Sequence, residues 1–130
     1  MTEYRLSPLA EQDIETILEW THEEFGEKAR IRYEALLTRA IMDVTEAPER
    51  MGSHDRPEIA VAARTYHLRN SRDRVKKSIG RVQRPRHFLL YRTTDDGKVE
   101  IGRVLHDGMD LTRHLPGEYR AADWDEGGLG

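Results

Sequence analysis

Residues Ser7–Ala47, SPLAEQDIETILEWTHEEFGEKARIRYEALLTRAIMDVTEA, decide the fold, because their apolar residues recur at helical spacing on both sides of one glycine. Ser7 is a good N-cap, and Pro8 is tolerated at the first helical position. Gly26 is the natural end of the first helix, and Pro48 closes the second. Two helices joined by so short a turn are expected to lie antiparallel, as a hairpin that hides its apolar sides.

Segments with strand character lie on both sides of this hairpin. A turn at Asp95–Gly97 joins the last two of them, residues 49–60 are expected to form a loop, and Asp107–Leu115 returns to helical spacing. The order predicts an α+β fold with an N-terminal strand, an antiparallel helix hairpin packed on a small antiparallel sheet, and a short C-terminal helix. The four predicted strands are Tyr4–Leu6, Ala63–Arg69, His87–Arg92 and Val99–Leu105.

Composition places the chain among soluble single domains. With 130 residues it is long enough for one core, and 37% hydrophobic with 35% charged residues indicates a small core under a polar surface. No apolar run approaches the roughly 20 residues of a membrane span, and the N-terminus lacks the pattern of a secretory signal. The absence of cysteine excludes disulfides and thiolate zinc sites. We therefore expect a cytoplasmic protein without a membrane partner.

Charge is segregated along the chain, although the net charge is only −3. Residues 64–92 contain ten Lys or Arg against one acid, Asp73, whereas residues 1–26 and 117–130 are acidic. A basic block of this density either binds an anionic surface or pairs with an acidic partner. The alternative is a solvated basic hairpin that only keeps the protein soluble.

The stretch RVLHDGMDLTRHLP, Arg103–Pro116, concentrates potential metal ligands. His106, Asp110 and His114 are spaced four residues apart, so on one continuous helix they would share a face and could bind zinc or iron. His106, however, is expected to end a strand, which prevents the three side chains from converging. Local capping and hydrogen bonding is the favoured interpretation, and we expect no metal and no cofactor.

Three stretches resemble the ParE branch of the RelE/ParE superfamily of bacterial toxin–antitoxin modules. They are YRLSPLAEQDIETILEWTHEEFGEKARIRYEALL, RPRHFLLYR and IGRVLHDGMDLTRHL, of which the last is the most specific. The resemblance covers nearly everything from Tyr4 to Pro116. It implies a ParE-like toxin domain over residues 1–116. Two features depart from the usual ParE pattern: the basic insert at 70–85 and the flexible acidic tail at 117–130.

The resemblance implies the toxin component of a type II toxin–antitoxin system. Such a toxin would inhibit DNA gyrase by stabilising the cleaved complex, would need no catalysis of its own, and would be neutralised by a ParD-like antitoxin. No sequence-specific nucleic-acid binding by the toxin alone is expected. The residues expected to engage the target are Met109, Asp110, Leu111, Arg113, His114, Arg72, Arg74, Arg84 and Arg86. Those expected to bind the antitoxin are Trp20, Tyr33, Leu37, Arg64, Arg92 and Arg103.

Two other functions stay open. The RelE branch cleaves messenger RNA on the ribosome, which requires a base, an acid and cations. Tyr91 has an alternative interpretation as a core residue, Arg92 as a partner of Glu100 across the hairpin, and Trp20 and Tyr33 as ordinary core packing. A remnant that only binds its antitoxin is the third function. The candidate nuclease residues are Arg64, Arg92, Arg103, His87, Tyr91 and His106.

Overall fold

A computed structural model of the chain describes residues 3–108. The predicted C-terminal helix from Met109 onward, the acidic tail and the target-binding set from Met109 to His114 lie outside these residues. The elements, in chain order, are β1 (Tyr4–Leu6), α1 (Pro8–Phe25), α2 (Glu27–Glu46), β2 (Ser53–Asp55), β3 (Arg64–His67), a 3-10 helix η1 (Leu68–Arg74), β4 (His87–Thr93) and β5 (Val99–His106).

The five strands form one sheet in the order β1-β5-β4-β3-β2. Strand β1 runs parallel to β5, and all other neighbours are antiparallel, so the sheet is mixed. The α+β architecture is confirmed, with a mixed sheet in place of the antiparallel sheet that the sequence predicted, because β1 pairs in parallel with β5. The prediction that residues 49–60 form only a loop was wrong in one respect. This segment contains β2, whose Ser53 pairs with Tyr66 of β3. A strand of three residues is too short to show an alternating pattern.

The helix hairpin forms as its capping residues predict. The Ser7 hydroxyl accepts a hydrogen bond from the Ala10 backbone N–H at 3.0 Å and donates to the Gly102 carbonyl at 2.7 Å, so the start of α1 is tied to β5. Gly26 ends α1 with a φ of 92°, a left-handed value that favours glycine, and α2 begins at the next residue.

The sheet buries both of its faces. Strand residues of alternating register, such as Leu89 and Tyr91, pack with the apolar side of α2 in the main core. Leu90 and Leu105 point to the opposite face, where Ile59, Ala60 and Ala63 cover them. The α2 residues of the main core are Tyr33, Leu36, Leu37, Ala40, Ile41 and Val44.

The basic insert begins as a packed element. Helix η1 covers Leu68–Arg74 and buries Leu68 and Ser71, where the sequence indicated a long connection or frayed strand ends. Within residues 3–108, no helix is long and apolar enough to cross a membrane.

Candidate functional site

A largely apolar groove of about 620 Å³ lies between the helix hairpin and residues 81–87; we call it the hairpin groove. Trp20 and Phe25, near the end of α1, line it and leave 52% and 67% of their surface exposed. Their rings meet edge to face, with centroids 5.6 Å apart. Large exposed aromatic side chains on a groove wall are typical of protein-binding surfaces, where they serve as anchors.

Positive side chains surround this apolar surface. Arg32 from α2 and Arg81, Arg84 and Arg86 from the basic insert and its end all line the groove. Arg81 is paired with Asp73 at 3.0 Å, and Arg86 with Asp107 at 3.0 Å. An amphipathic segment with apolar anchors and acidic flanks complements a surface of this composition.

Tyr33 and His87 form a hydrogen-bonded pair at the floor of the groove. The Tyr33 hydroxyl lies 2.6 Å from His87 Nδ1 and accepts the Arg86 backbone N–H at 3.2 Å. Burial raises the pKa of Tyr33 to about 12 and, with help from the nearby His106, lowers the pKa of His87 to about 4. Both groups are therefore neutral near pH 7, with the tyrosine as donor and Nδ1 as acceptor.

Asp107 connects the ends of three neighbouring strands. Its Oδ2 lies 3.0 Å from His67 Nε2, its Oδ1 accepts from Arg86 Nε at 3.0 Å, and its backbone N–H donates to the Arg86 carbonyl at 2.8 Å. Burial acts to raise the pKa of Asp107, but the hydrogen bonds from His67 and Arg86 outweigh it and lower that pKa. His106, the end of β5 as expected, packs its ring against His87 at 5.4 Å.

The residues expected to bind an antitoxin do not form one surface. Trp20 lines the hairpin groove and is about half exposed. Tyr33 is only 8% exposed and Leu37 only 2%, so the core-packing interpretation applies to Tyr33, and Leu37 offers a partner almost no surface. The other three residues of the expected set are the strand arginines Arg64, Arg92 and Arg103.

Each of these three strand arginines has a partner within the fold. Arg92 Nε binds Glu100 Oε1 at 3.1 Å across the β4–β5 hairpin, which confirms the expected pair. Arg103 makes two hydrogen bonds to Asp13, at 2.7 and 2.9 Å. Arg64 donates to the Ser53 hydroxyl and the Pro48 carbonyl: these bonds join β3 to β2 and to the end of the hairpin.

The four described residues of the expected target-binding set divide into two places. Arg84 and Arg86 line the hairpin groove. Arg72 and Arg74 belong to η1, where Arg72 Nη1 donates to the Gln83 carbonyl at 2.7 Å and Arg74 Nε donates to Asp43 at 3.0 Å.

Sequence reasoning missed Asp43, which is fully buried and gathers three arginines. Its position contained a signal, because Asp43 falls seven residues after Leu36 and three after Ala40, on the apolar stripe of α2. A carboxylate on a buried helical face needs a cationic or hydrogen-bonding partner. Phe25 and Arg32 were also overlooked as groove residues, since nothing local marks them as neighbours of residues 81–87.

Five of the six candidate nuclease residues divide between the two ends of β4, and the sixth, Arg103 on β5, pairs with Leu90 between them; the five are Arg64, Tyr91 and Arg92 at one end and His87 and His106 at the other. Tyr91 is fully buried, and its hydroxyl donates to the Pro48 carbonyl at 2.5 Å, while Arg64 is its register partner on β3. His87 lies four residues along the strand from Tyr91, roughly 13 Å at the usual rise per residue. Burial raises the pKa of the Tyr91 hydroxyl. Among residues 3–108 there is likewise no group of three His, Asp or Glu side chains arranged to hold a metal; Asp110 and His114 lie outside this range.

A two-helix hairpin on a five-stranded mixed sheet, with an aromatic groove beside a basic segment, defines a small α+β protein with a RelE/ParE-like fold. The family described as "ParE toxin of type II toxin-antitoxin system, parDE" matches residues 4–111. The chain therefore belongs to the ParE toxin family.

Two similar proteins come from Mycobacterium tuberculosis, one from strain CDC 1551 / Oshkosh and one from strain ATCC 25618 / H37Rv, and both are named Toxin ParE1. Each is 29% identical over 112 residues, which is 86% of this chain and 96% of the relative.

Proposed function

We propose that this ParE-type toxin acts in the cytoplasm by inhibiting DNA gyrase: it stabilises the enzyme's cleaved DNA complex and performs no catalysis of its own. Membership of the ParE family supports the choice of DNA gyrase as the target. The described residues that face the target in this proposal are Arg72, Arg74, Arg84 and Arg86. Their positive charge suits a complex that contains DNA, because phosphates attract cations without regard to base sequence.

The family pairs its toxins with an antitoxin, and we propose a ParD-like protein whose disordered segment folds into the hairpin groove. The exposed aromatic pair, Trp20 and Phe25, carries this proposal. An apolar side chain of the antitoxin that covers these two rings removes their exposed apolar surface from water, which favours binding. Central aromatic anchors commonly dominate the binding energy of an interface.

The arginines around the groove add selectivity for an acidic antitoxin. Arg32 and Arg84 line the groove, and Arg81 and Arg86 keep 51% and 61% of their side chains exposed despite their acidic partners. Complementary charge of this kind speeds encounter and rejects basic partners more than it adds affinity. The association rate should therefore fall steeply as salt is added.

The protonation state of the Tyr33–His87 pair supports a non-enzymatic role. An acid–base catalyst works best when its pKa lies near the working pH. The pKa of Tyr33 is raised to about 12 and the pKa of His87 is lowered to about 4, so neither group is suited to exchange a proton at neutral pH. The hydrogen bond between them also occupies the tyrosine proton. Tyr91 is held by Pro48 in the core.

Two reactions run in parallel test the proposal. Purified toxin is added to gyrase with supercoiled plasmid, and separately to translating ribosomes with messenger RNA. Gyrase-linked double-strand breaks with intact messenger RNA support the proposal. Cut messenger RNA with unaffected gyrase would replace it with the RelE-type ribonuclease, and neither effect, together with no growth arrest, would indicate a remnant that only binds its antitoxin.

A further inference from the structure

Three arginines converge on one buried carboxylate beside η1. Arg39 Nη2 and Arg74 Nε each lie 3.0 Å from Asp43 Oδ1, and Arg50 Nη1 lies 3.7 Å from it. Arg39 comes from α2, Arg50 from the loop that follows it, and Arg74 from the last residue of η1. We call the three arginines with Asp43 the arginine cluster. None of its residues lines the hairpin groove, although α2 contributes residues to both.

The carboxylate at its centre is held firmly. The Ser71 hydroxyl donates to Asp43 Oδ2 at 2.5 Å, and the Tyr66 hydroxyl is hydrogen-bonded to Ser71 at 2.8 Å. All three of these side chains are fully buried. The Arg50 guanidinium also lies over the Tyr66 ring, 5.9 Å from its centroid. The arginines are thus oriented before any ligand arrives, which reduces the entropy lost on binding.

Positive charge remains in excess after this pairing. Asp43 faces three guanidinium groups, and the exposed Glu46 pairs with Arg39 at 4.0 Å, so two carboxylates meet three cations. The side chains of Arg39, Arg50 and Arg74 are 26%, 23% and 49% exposed, so each reaches solvent. The cluster can therefore accept an anion from outside.

We propose that the arginine cluster binds a phosphate group of the DNA backbone, without reading base sequence. Guanidinium groups match phosphate oxygens with paired N–H donors, and three of them approaching from different segments suit a tetrahedral anion. Exposed Arg69, Lys76 and Lys77, before and after Arg74 in the chain, extend the positive charge. A phosphodiester chain is bound through charge alone, whereas an antitoxin peptide finds its apolar anchors at the hairpin groove.

This site does not depend on gyrase being the target, so its failure and the failure of the proposed function can be told apart. If the toxin does act on gyrase-bound DNA, the cluster supplies a contact to the duplex beside the enzyme. The measurement therefore uses purified full-length toxin and a short labelled duplex without gyrase, followed by fluorescence anisotropy over a series of salt concentrations.

Arg74→Gln tests the cluster against general surface charge. Its affinity for the duplex should fall about three- to tenfold, and the slope of log K against log salt should decrease by about one, as expected for one lost phosphate contact. Arg5→Gln is the matched control, because Arg5 is 44% exposed, pairs with the single carboxylate of Glu100, and lies on β1. The control should bind like the parent protein. Equal losses in both variants would overturn the proposal.

Asp43→Asn separates a built site from simple attraction, because it makes the protein more positive. Charge alone predicts tighter binding, whereas loss of the residue that positions the arginines predicts weaker binding. Ser71→Ala leaves every charge in place and should weaken binding by about threefold through loss of one hydrogen bond, which keeps the test valid if Asp43→Asn fails to fold. Tighter binding by Asp43→Asn, or unchanged binding by Ser71→Ala, contradicts the proposal.

Three further probes fix the ligand. No binding of the duplex by the parent protein contradicts the proposal. So does inorganic phosphate that binds as tightly as the duplex, because the site would then serve free phosphate. Stronger binding of single-stranded RNA, or of an acidic peptide whose affinity depends on Arg74, would assign the cluster to another partner. Tighter binding of the duplex than of the other three ligands, with the difference lost in Arg74→Gln, supports the proposal.

Discussion

Trp20→Ala should strongly weaken the complex between toxin and antitoxin while leaving the toxin folded. Trp20 is 52% exposed, and a buried tryptophan contributes roughly 200 Å², so an antitoxin can cover about 100 Å² of it. At about 25 cal/mol per Å², this corresponds to about 2.5 kcal/mol, or about a 60-fold rise in Kd. Most of this effect should appear in the dissociation rate.

The matched control is Ile31→Ala on α2. Ile31 is 43% exposed and lies outside the lining of the hairpin groove. Titration calorimetry and surface plasmon resonance with the purified antitoxin measure both variants, and thermal unfolding reports whether each toxin is folded. A Trp20→Ala toxin that is folded and binds antitoxin within about threefold of the parent would refute the groove as the docking surface; a larger loss from Ile31→Ala would place the antitoxin elsewhere.

Three other predictions concern stability and the C-terminal residues. Asp13→Ala should lower the free energy of unfolding by about 2 kcal/mol, because Arg103 loses two charged hydrogen bonds; denaturant unfolding checks this, and Glu34→Ala, an exposed helical pair, should cost less than about 0.5 kcal/mol. Burial lowers the pKa of His87 from 6.5 to about 4, so the unfolded chain takes up the proton first. The contribution of neutral, buried His87 to the free energy of unfolding should be constant above about pH 6.5 and should decrease by up to about 3 kcal/mol as the pH drops towards 4. His87→Gln should abolish this decrease. Truncation after Gly108 should abolish growth arrest, and a fully toxic truncated protein would refute a role for the residues beyond it.

Local signals were sufficient for the helix hairpin and most strands. Ser7, Pro8 and Gly26 mark helix ends through backbone chemistry that does not depend on the rest of the fold. The pairing of Arg92 with Glu100 could likewise be predicted, because a tight turn sets the register of the strands it joins. Strand β2 could not, since its three residues gain their hydrogen bonds only once β3 lies beside them.

The candidate site depended on contacts that the sequence does not display. Trp20 and Tyr33 both stand three or four residues from apolar neighbours, so periodicity alone could not show that one is exposed and the other buried. Asp13 and Arg103 meet although they are 90 residues apart. Asp43 was accessible to reasoning, because a carboxylate on an apolar helical stripe must be paired, but its three partners come from three segments of the chain.

The most direct test of gyrase inhibition is the state of supercoiled plasmid after incubation with gyrase, toxin and ATP, followed by denaturation and protease digestion. We predict linear DNA that accumulates with toxin concentration, and that disappears when a ParD-like antitoxin is added first. Trp20→Ala toxin should still produce the breaks but resist neutralisation. Plasmid that stays intact and supercoiled at saturating toxin, with no linear product, would contradict inhibition of gyrase by this toxin.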